Sequence, residues 1–275
     1  MTLFVCFLHN AKTDVYEEKL VRELLKWEDS NYTGGDGVLT GCDEKQEWML
    51  KWWWNHYSQN NSLPVTFFDF GMTKSARLWC EKKGCVISVI LPKNIVAPKE
   101  KIEKKQRETW EAVYSGNIWM ARLGWFSKPF ALLKSPYDRS CWIDLDCQIM
   151  QPLNELIAAS DLASGVAIVR EVERSVLFCK KFGIYLDGEI SYNTGVISFK
   201  RGSPILLKWA ENTLYRTKEF LGDQDVFNRT IFEEKYPLHE LPSRFNARPL
   251  DGIFPETTIL HFTCEPGKNY IFSKI

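Results

Sequence analysis

Residues 140–149 read Ser-Cys-Trp-Ile-Asp-Leu-Asp-Cys-Gln-Ile, so two carboxylates one residue apart, Asp144 and Asp146, close an apolar run that commits its strand to the interior. In an open parallel sheet the carboxyl ends of the strands face the ligand crevice, which directs both aspartates there. Two ionised carboxylates this close repel, and a cation between them removes the conflict. A divalent ion with hard oxygen ligands answers that need, and a nucleotide diphosphate completes its coordination. An Asp-x-Asp also fits a solvated or capping turn; its place after a buried strand is what favours chemistry.

A second cluster follows the apolar run 258–262, where His261 is trailed by Pro266, Gly267 and Lys268. A single histidine in such a run is commonly a core residue with its hydrogen bonds satisfied. Glycine, however, lets a backbone approach a ligand closely, and lysine offers a point charge for a phosphate. On that reading His261 is a third metal ligand and Lys268 a phosphate contact. A third cluster, Asp223-Gln224-Asp225, opens an expected helix, and Asn193-Thr194-Gly195 opens an expected strand. An N-cap accounts for Asp223 and a bulge for Gly195. Neither requires Gln224.

The elements that must position these clusters alternate along the chain. Short apolar runs at 38–40, 65–70, 86–91, 140–143, 162–169, 192–199 and 258–262 read as strands. Between them helical patterns are expected over 46–59, 75–83, 117–134 with an interruption at Pro129, 152–159, from 203–204 onward, and 223–234. The closely mixed charges of 99–108 read as a solvated helix. Strands too short to be helices, alternating with helices, make an α/β fold with a mostly parallel sheet covered on both faces. An amphipathic helix over 13–27 and the glycine cluster at 34–37 divide an accessory segment, 1–37, from a domain over 38–275. Trp52, Trp53 and Trp54 cannot share one helix face, because each step turns about 100°; two are expected to pack and one to stay partly exposed.

Taken in order, Asp144-Leu-Asp146, Asn193-Thr-Gly-Val196, Asp223-Gln-Asp225 and His261 with Gly267-Lys268 resemble the motifs of the family eight retaining glycosyltransferases. Glycogenin and the bacterial lipopolysaccharide galactosyltransferases belong to that family, and the resemblance spans 38–268. It implies the GT-A fold, a Rossmann-like nucleotide-diphospho-sugar transferase domain, and transfer of a hexose from a UDP-sugar with retention of configuration. It also implies that Asp144, Asp146 and His261 hold Mn²⁺ or Mg²⁺, and that Lys268 contacts the diphosphate. Lys128, sixteen positions before Asp144, matches a basic residue that reaches donor sugar and phosphate, with Arg122 as its competitor. Asn193, Asp223 and Gln224 match positions that hold the donor sugar, with Gln224 beside the anomeric carbon. Asp43 is implied at the base or ribose. The family's usual glycine three residues after the histidine is Cys264 here.

Composition narrows the alternatives. With 35 basic and 35 acidic residues in 275, the chain has no net field to hold a polyanion, so nucleic acid is not an expected partner. The early apolar run 1–8 lacks a preceding basic region and is far shorter than the roughly 20 residues of a membrane span. Eight cysteines form no CxxC pair, and most sit inside apolar runs, which suits buried thiols in a reducing compartment and a cytoplasmic location. Two other functions fit parts of the pattern. A haloacid dehalogenase-like phosphohydrolase also uses a strand-terminal Asp-x-Asp, though on its first strand, and a sugar-nucleotide-binding protein without catalysis would keep the same ligands. The acceptor, whether a sugar, a lipid-linked sugar or a protein, is not legible.

Overall fold

A computed structural model describes residues 18–92, 94–114, 118–162 and 164–275. In chain order the elements are α1 (Glu18–Leu24), β1 (Asp36–Cys42), α2 (Leu50–Asn60), β2 (Val65–Asp69), α3 (Lys74–Glu81), β3 (Cys85–Ser88), α4 (Lys104–Val113), α5 (Ile118–Leu132), β4 (Arg139–Ile143) and β5 (Cys147–Ile149). They continue with α6 (Asn154–Ala158), β6 (Val166–Arg170), α7 (Glu173–Lys181), β7 (Tyr192–Lys200), α8 (Pro204–Arg216), α9 (Asp223–Glu234), β8 (His239–Leu241), β9 (Ile259–His261) and α10 (Cys264–Phe272). The expected residues 1–17, with Cys6, lie outside the described ones.

Seven strands form one sheet in the order β3-β2-β1-β4-β7-β6-β8. Every neighbouring pair is parallel except those of β7, which runs against both β4 and β6. The sheet is thus mostly parallel, as the alternating pattern implies, with one reversed strand. That reversal has a consequence for chemistry: the start of β7, at Asn193 and Thr194, comes to the same sheet edge as the carboxyl end of β4. Ile143 pairs with Val196, and the Asp144 amide donates to the Gly195 carbonyl at 2.8 Å. A second, two-stranded sheet pairs β5 with β9 and sets Cys147 opposite His261.

Both faces of the large sheet are covered, which is why its strands are apolar on both sides rather than alternating. Leu39, Phe68, Trp142 and Ile197 face Phe126 and Phe130 of α5, Trp209 of α8 and Phe227 of α9. Val38, Phe67, Ile143 and Val196 face Trp53 and Tyr57 of α2 and Leu156 of α6. Leu20, Leu24 and Trp27 also pack on the first of these cores. Trp52 and Trp53 are buried while Trp54 is half-buried against Trp79 beneath the Lys83 ammonium, so the tryptophan run divides as its helical geometry requires.

Several expected boundaries change. α5 continues through Pro129, whose ring lacks an N–H and so leaves the Trp125 carbonyl without its helical donor. The apolar runs at 86–91 and 162–169 become strands only over Cys85–Ser88 and Val166–Arg170. At α9 the N-cap is Gly222, not Asp223; Asp225 reaches back to accept from the Gly222 amide at 3.3 Å. Ser203 occupies the N-cap of α8 ahead of Pro204 without a side-chain capping bond. Among the described residues no helix is long and apolar enough to cross a membrane, and the seven described cysteines are free thiols, five of them buried.

Candidate active site

A cleft of about 800 Å³ opens along the sheet edge where β1 and β4 end and β7 begins. It is lined by Asp43, Lys128, Asp144, Asp146, Asn193, Asp223, Gln224, His261 and Lys268, so clusters spread over more than two hundred residues of sequence meet in one cavity. Gly267 is not in the lining. It allows another close approach instead: a Cβ there would stand 2.3 Å from the Phe262 carbonyl oxygen, so only glycine lets α10 cross the end of β9 and present Lys268. Cys264, in the place of the family's glycine, has φ +65°, the left-handed backbone that glycine adopts most freely.

Lys128 is the polar hub of the floor. α5 carries it inward, where its Nζ lies 3.1 Å from Asp144 Oδ1 and 3.3 Å from Asp223 Oδ2 and donates to the Thr194 carbonyl. Burial opposes its charge, but the two carboxylates outweigh burial and hold its pKa above the ordinary value. Asp223 accepts from the Thr194 hydroxyl at 3.0 Å and is pushed above the usual carboxylate range, first by burial and also by Asp144, despite Lys128. Asp144 further accepts from the Trp142 indole. Arg122, the competing basic residue, is committed elsewhere. Its buried guanidinium donates to the carbonyls of Ala97, Thr217, Phe220 and Leu221, which ties α5 to the segment leading into Asp223.

Asp146 and His261 meet across the small sheet, with His261 Nε2 3.1 Å from Asp146 Oδ1. Burial disfavours charge on Asp146, but His261 beside it and Lys268 hold its pKa below the ordinary value. Among the described residues, the ligand atoms of Asp146, Cys147 and His261 lie within 4.8 Å of one another. Cys147, absent from the sequence-derived set, is therefore beside the pair, while Asp144 is turned to Lys128. A carboxylate and an imidazole side by side in a cleft suit a divalent ion such as Mn²⁺. The other face of the imidazole is held too: Nδ1 lies 2.8 Å from both Asn246 Oδ1 and Arg248 Nη1, the kind of outer support that fixes a ligating histidine.

Gln224 is fixed at both ends of its amide. Its Oε1 accepts from Asn193 Nδ2 at 3.0 Å and from the Thr194 amide at 3.3 Å, and its Nε2 donates to Glu171 Oε2 at 3.3 Å. Asn193 Nδ2 also donates to Glu171, and Arg248 pairs with Glu171 at 3.0 Å. Arg248 and Asn193 keep the Glu171 carboxyl below its usual range although burial acts the other way. Glu171, Asn246 and Arg248 were not among the sequence-derived candidates. They carry no motif; the only signal was polar residues near the ends of apolar strands. Asp225, at the cleft wall, is pushed up to about 7, chiefly by burial and further by Asp223 and Glu189.

No protein-family model matches the chain, and no curated protein matches it. Solved structures do. The chain is similar to the galactosyltransferase LgtC in complex with donor and acceptor sugar analogues, at TM-score 0.55 and 16% identity over 84% of this chain and 88% of that one. An active-site mutant of LgtC gives TM-score 0.57 and 14% identity over 84% and 88%. Mouse xyloside xylosyltransferase 1 in its apo form gives TM-score 0.52 and 17% identity over 84% of this chain and 98% of that one. Likeness at such identities is one of fold, and it is the fold that the ordered motifs resemble: this chain has the α/β GT-A architecture of these glycosyltransferases.

Proposed function

We propose that the chain is a metal-dependent retaining glycosyltransferase that moves a hexose from a nucleotide-diphospho-sugar, UDP-sugar in the simplest case, to an acceptor hydroxyl. The observation that carries this reading is the convergence of Lys128, Asp144, Asp146, Asn193, Gln224, His261 and Lys268 on one cleft at the edge where GT-A folds bind their donors. In this reading Asp146 and His261, joined by Asp144 on release from Lys128, would hold Mn²⁺ or Mg²⁺, which would neutralise the diphosphate and stabilise charge on the departing phosphate. Lys268, midway along α10, contacts the diphosphate. Asp43, at the end of β1, takes the nucleoside. Lys128 keeps Asp144 and Asp223 compatible in one buried floor and offers its remaining field to the donor.

Asn193, Asp223 and Gln224 hold the transferred sugar. Gln224 is a neutral amide, a poor base and a feeble nucleophile, so no carboxylate sits at that position to deprotonate an acceptor from the face opposite UDP. The acceptor hydroxyl then attacks from the face that UDP leaves, a phosphate oxygen takes its proton, and the product keeps the donor's α configuration.

The test is UDP release from a panel of sugar nucleotides, with Mn²⁺ and with chelator, for the wild type and Asp146→Asn. Mn²⁺-dependent release that Asp146→Asn abolishes in a folded protein is the expected result. Chelator-insensitive release removes the metal from the mechanism, inorganic phosphate in place of UDP points to a phosphohydrolase, and donor binding without release points to a non-catalytic protein.

A further inference from the structure

The cleft lining has two characters. Lys128, Asp144, Asp146, His261 and Lys268 make one part of it charged, and Asp43, Gln46 and Trp48 line it next to β1. Those parts are taken by diphosphate, metal and nucleoside in the reading above, on which this inference rests. The rest is apolar. Tyr114, just past the end of α4, and Met120 and Trp125 of α5 form that stretch, with Leu221 from the segment leading into α9.

Two of these side chains, Trp125 and Met120, present apolar surface to the cleft that the donor does not use, although Trp125 also packs on the small core of Ala97, Ile102, Trp110, Ile118 and Leu221. The half-buried Trp125 ring packs on Gly222, where a Cβ would stand 3.2 Å from its Cε3, so the indole lies against the backbone that presents Asp223 and Gln224. Met120 is 58% exposed, and Leu123, nearly one turn further along α5, is 49% exposed. Met120, itself in the lining, therefore carries it to the protein surface, and Leu123 extends the apolar surface just outside the cleft. Isolated exposed apolar side chains need no explanation, but an apolar wall continuous with a reactive cleft has a ligand-binding use.

A donor whose charges occupy the other part of the cleft leaves this wall to the acceptor. A sugar presents C–H groups that pack on an indole face, and a thioether accommodates alkyl chains of varied shape. We infer that Tyr114, Met120 and Trp125 form the acceptor subsite, and that the acceptor is a sugar carried on an apolar aglycone, with the sugar against Trp125 and the aglycone along Met120.

The experiment compares methyl, hexyl and octyl glycosides of glucose, galactose and N-acetylglucosamine as acceptors, below their micelle concentrations, using the sugar nucleotide that releases most UDP. Each fully buried methylene is worth about fourfold, from ~0.8 kcal/mol, so two suffice for a tenfold gain. For the sugar that is accepted, kcat/KM is expected to rise at least tenfold from methyl to octyl. Met120→Ser and Met120→Glu, at an exposed position, are expected to reduce that octyl-to-methyl ratio below threefold; the ratio is taken within each variant, so a general loss of rate cancels. Equal methyl and octyl values in the wild type, an unchanged ratio in both variants, or no stimulation of UDP release by any glycoside overturns the assignment while donor hydrolysis leaves the transferase reading standing. Absence of UDP release from every sugar nucleotide overturns both.

Discussion

Gly195 makes room for His261: a Cβ at residue 195 would stand 2.2 Å from the imidazole Cε1 and 2.9 Å from Nδ1. The contact joins the large sheet to the small one, because Gly195 lies in β7 and His261 ends β9. It also joins the two halves of the cleft, since the neighbouring Asn193 and Thr194 hold Gln224 while His261 meets Asp146. The Asn193 side chain closes the loop by donating to Glu171, and its carbonyl oxygen accepts from Asn246, which in turn sits on His261 Nδ1. A glycine whose sequence context fits a bulge is thus a spacer for an imidazole.

Gly195→Ala is therefore expected to displace His261 and to reduce UDP release by about 10²-fold, the cost of an ångström-scale misplacement at a reacting site. Overpacking should cost about 1–3 kcal/mol of stability, which leaves the protein folded at room temperature. Measured together, turnover and Mn²⁺-induced thermal shift should both collapse in this variant. Wild-type values for both would mean that the imidazole has another place to go.

Lys128 and Arg122 are separable by stability and activity. Lys128→Met leaves Asp144 and Asp223 without their shared cation, a loss of about 3–5 kcal/mol by the cost of stranding buried charge, and it should abolish turnover. Lys128→Arg restores charge and part of both. Arg122→Met strips four main-chain carbonyls of a donor and should lower the melting temperature comparably. At a temperature where each variant remains folded, however, Arg122→Met is expected to retain turnover within about tenfold of wild type, because its guanidinium contacts backbone and not the cleft floor. Loss of turnover in folded Arg122→Met with full activity in Lys128→Met would reverse the two roles.

Asp225 gives stability a pH dependence with a definite sign. Its folded pKa of about 7 lies above the ordinary 3.8, so the folded state binds a proton that the unfolded state has released between those values. The stabilisation it contributes is complete below about 4 and is lost as pH rises through about 7. Asp225→Asn keeps an oxygen able to accept from the Gly222 amide and removes the titration. The variant is expected to gain stability relative to wild type as pH rises from about 5, read as a melting-temperature difference that widens up to about pH 7 and levels off above it. A constant difference would show that Asp225 titrates near its ordinary value.

Much of this cleft was legible because its chemistry is concentrated in short runs at the ends of apolar strands. Asp144 and Asp146, Asn193, Asp223 and Gln224, and His261 each follow or open a segment whose burial can be read from composition. The reversal of β7 was not legible, since the strand pattern over 192–199 reads the same in either direction; yet that reversal is what brings Asn193 to the end of β4. Glu171, Asn246 and Arg248 were missed because each is an isolated polar residue whose meaning comes from partners on other elements, as in Asn193 with Glu171 22 positions away, Asn246 with Asn193 53 away and Arg248 with Glu171 77 away. α10 was missed for a local reason: Pro266 and Gly267 signal a loop, but proline is tolerated in a first helical turn and the glycine is required by the Phe262 backbone. Lys128 was found by its spacing from Asp144, while its pairing with Asp223 depends on a fold that spacing cannot express.

The retaining reading places a neutral amide, Gln224, beside the transferred sugar, and the orientation of that amide follows from its partners. Oε1 accepts twice, from Asn193 and Thr194, and Nε2 points to the Glu171 carboxylate. An amide so held cannot turn to serve as a base, but it gives a fixed dipole beside a sugar that gains positive character as UDP departs. Gln224→Ala removes that dipole and leaves Glu171 and Asn193 short of a partner. Turnover is expected to fall by about 10²-fold, equivalent to about 2.7 kcal/mol of transition-state stabilisation, with a smaller effect on donor KM. The residual product should still carry the α linkage, because the face of attack is set by where UDP leaves and not by Gln224. Proton NMR of the first-formed product, taken before any mutarotation, reads the linkage directly. A β linkage from an α-linked UDP-sugar would mean that a base acts from the opposite face, and Glu171, the carboxylate that Gln224 touches, would be the first residue to replace.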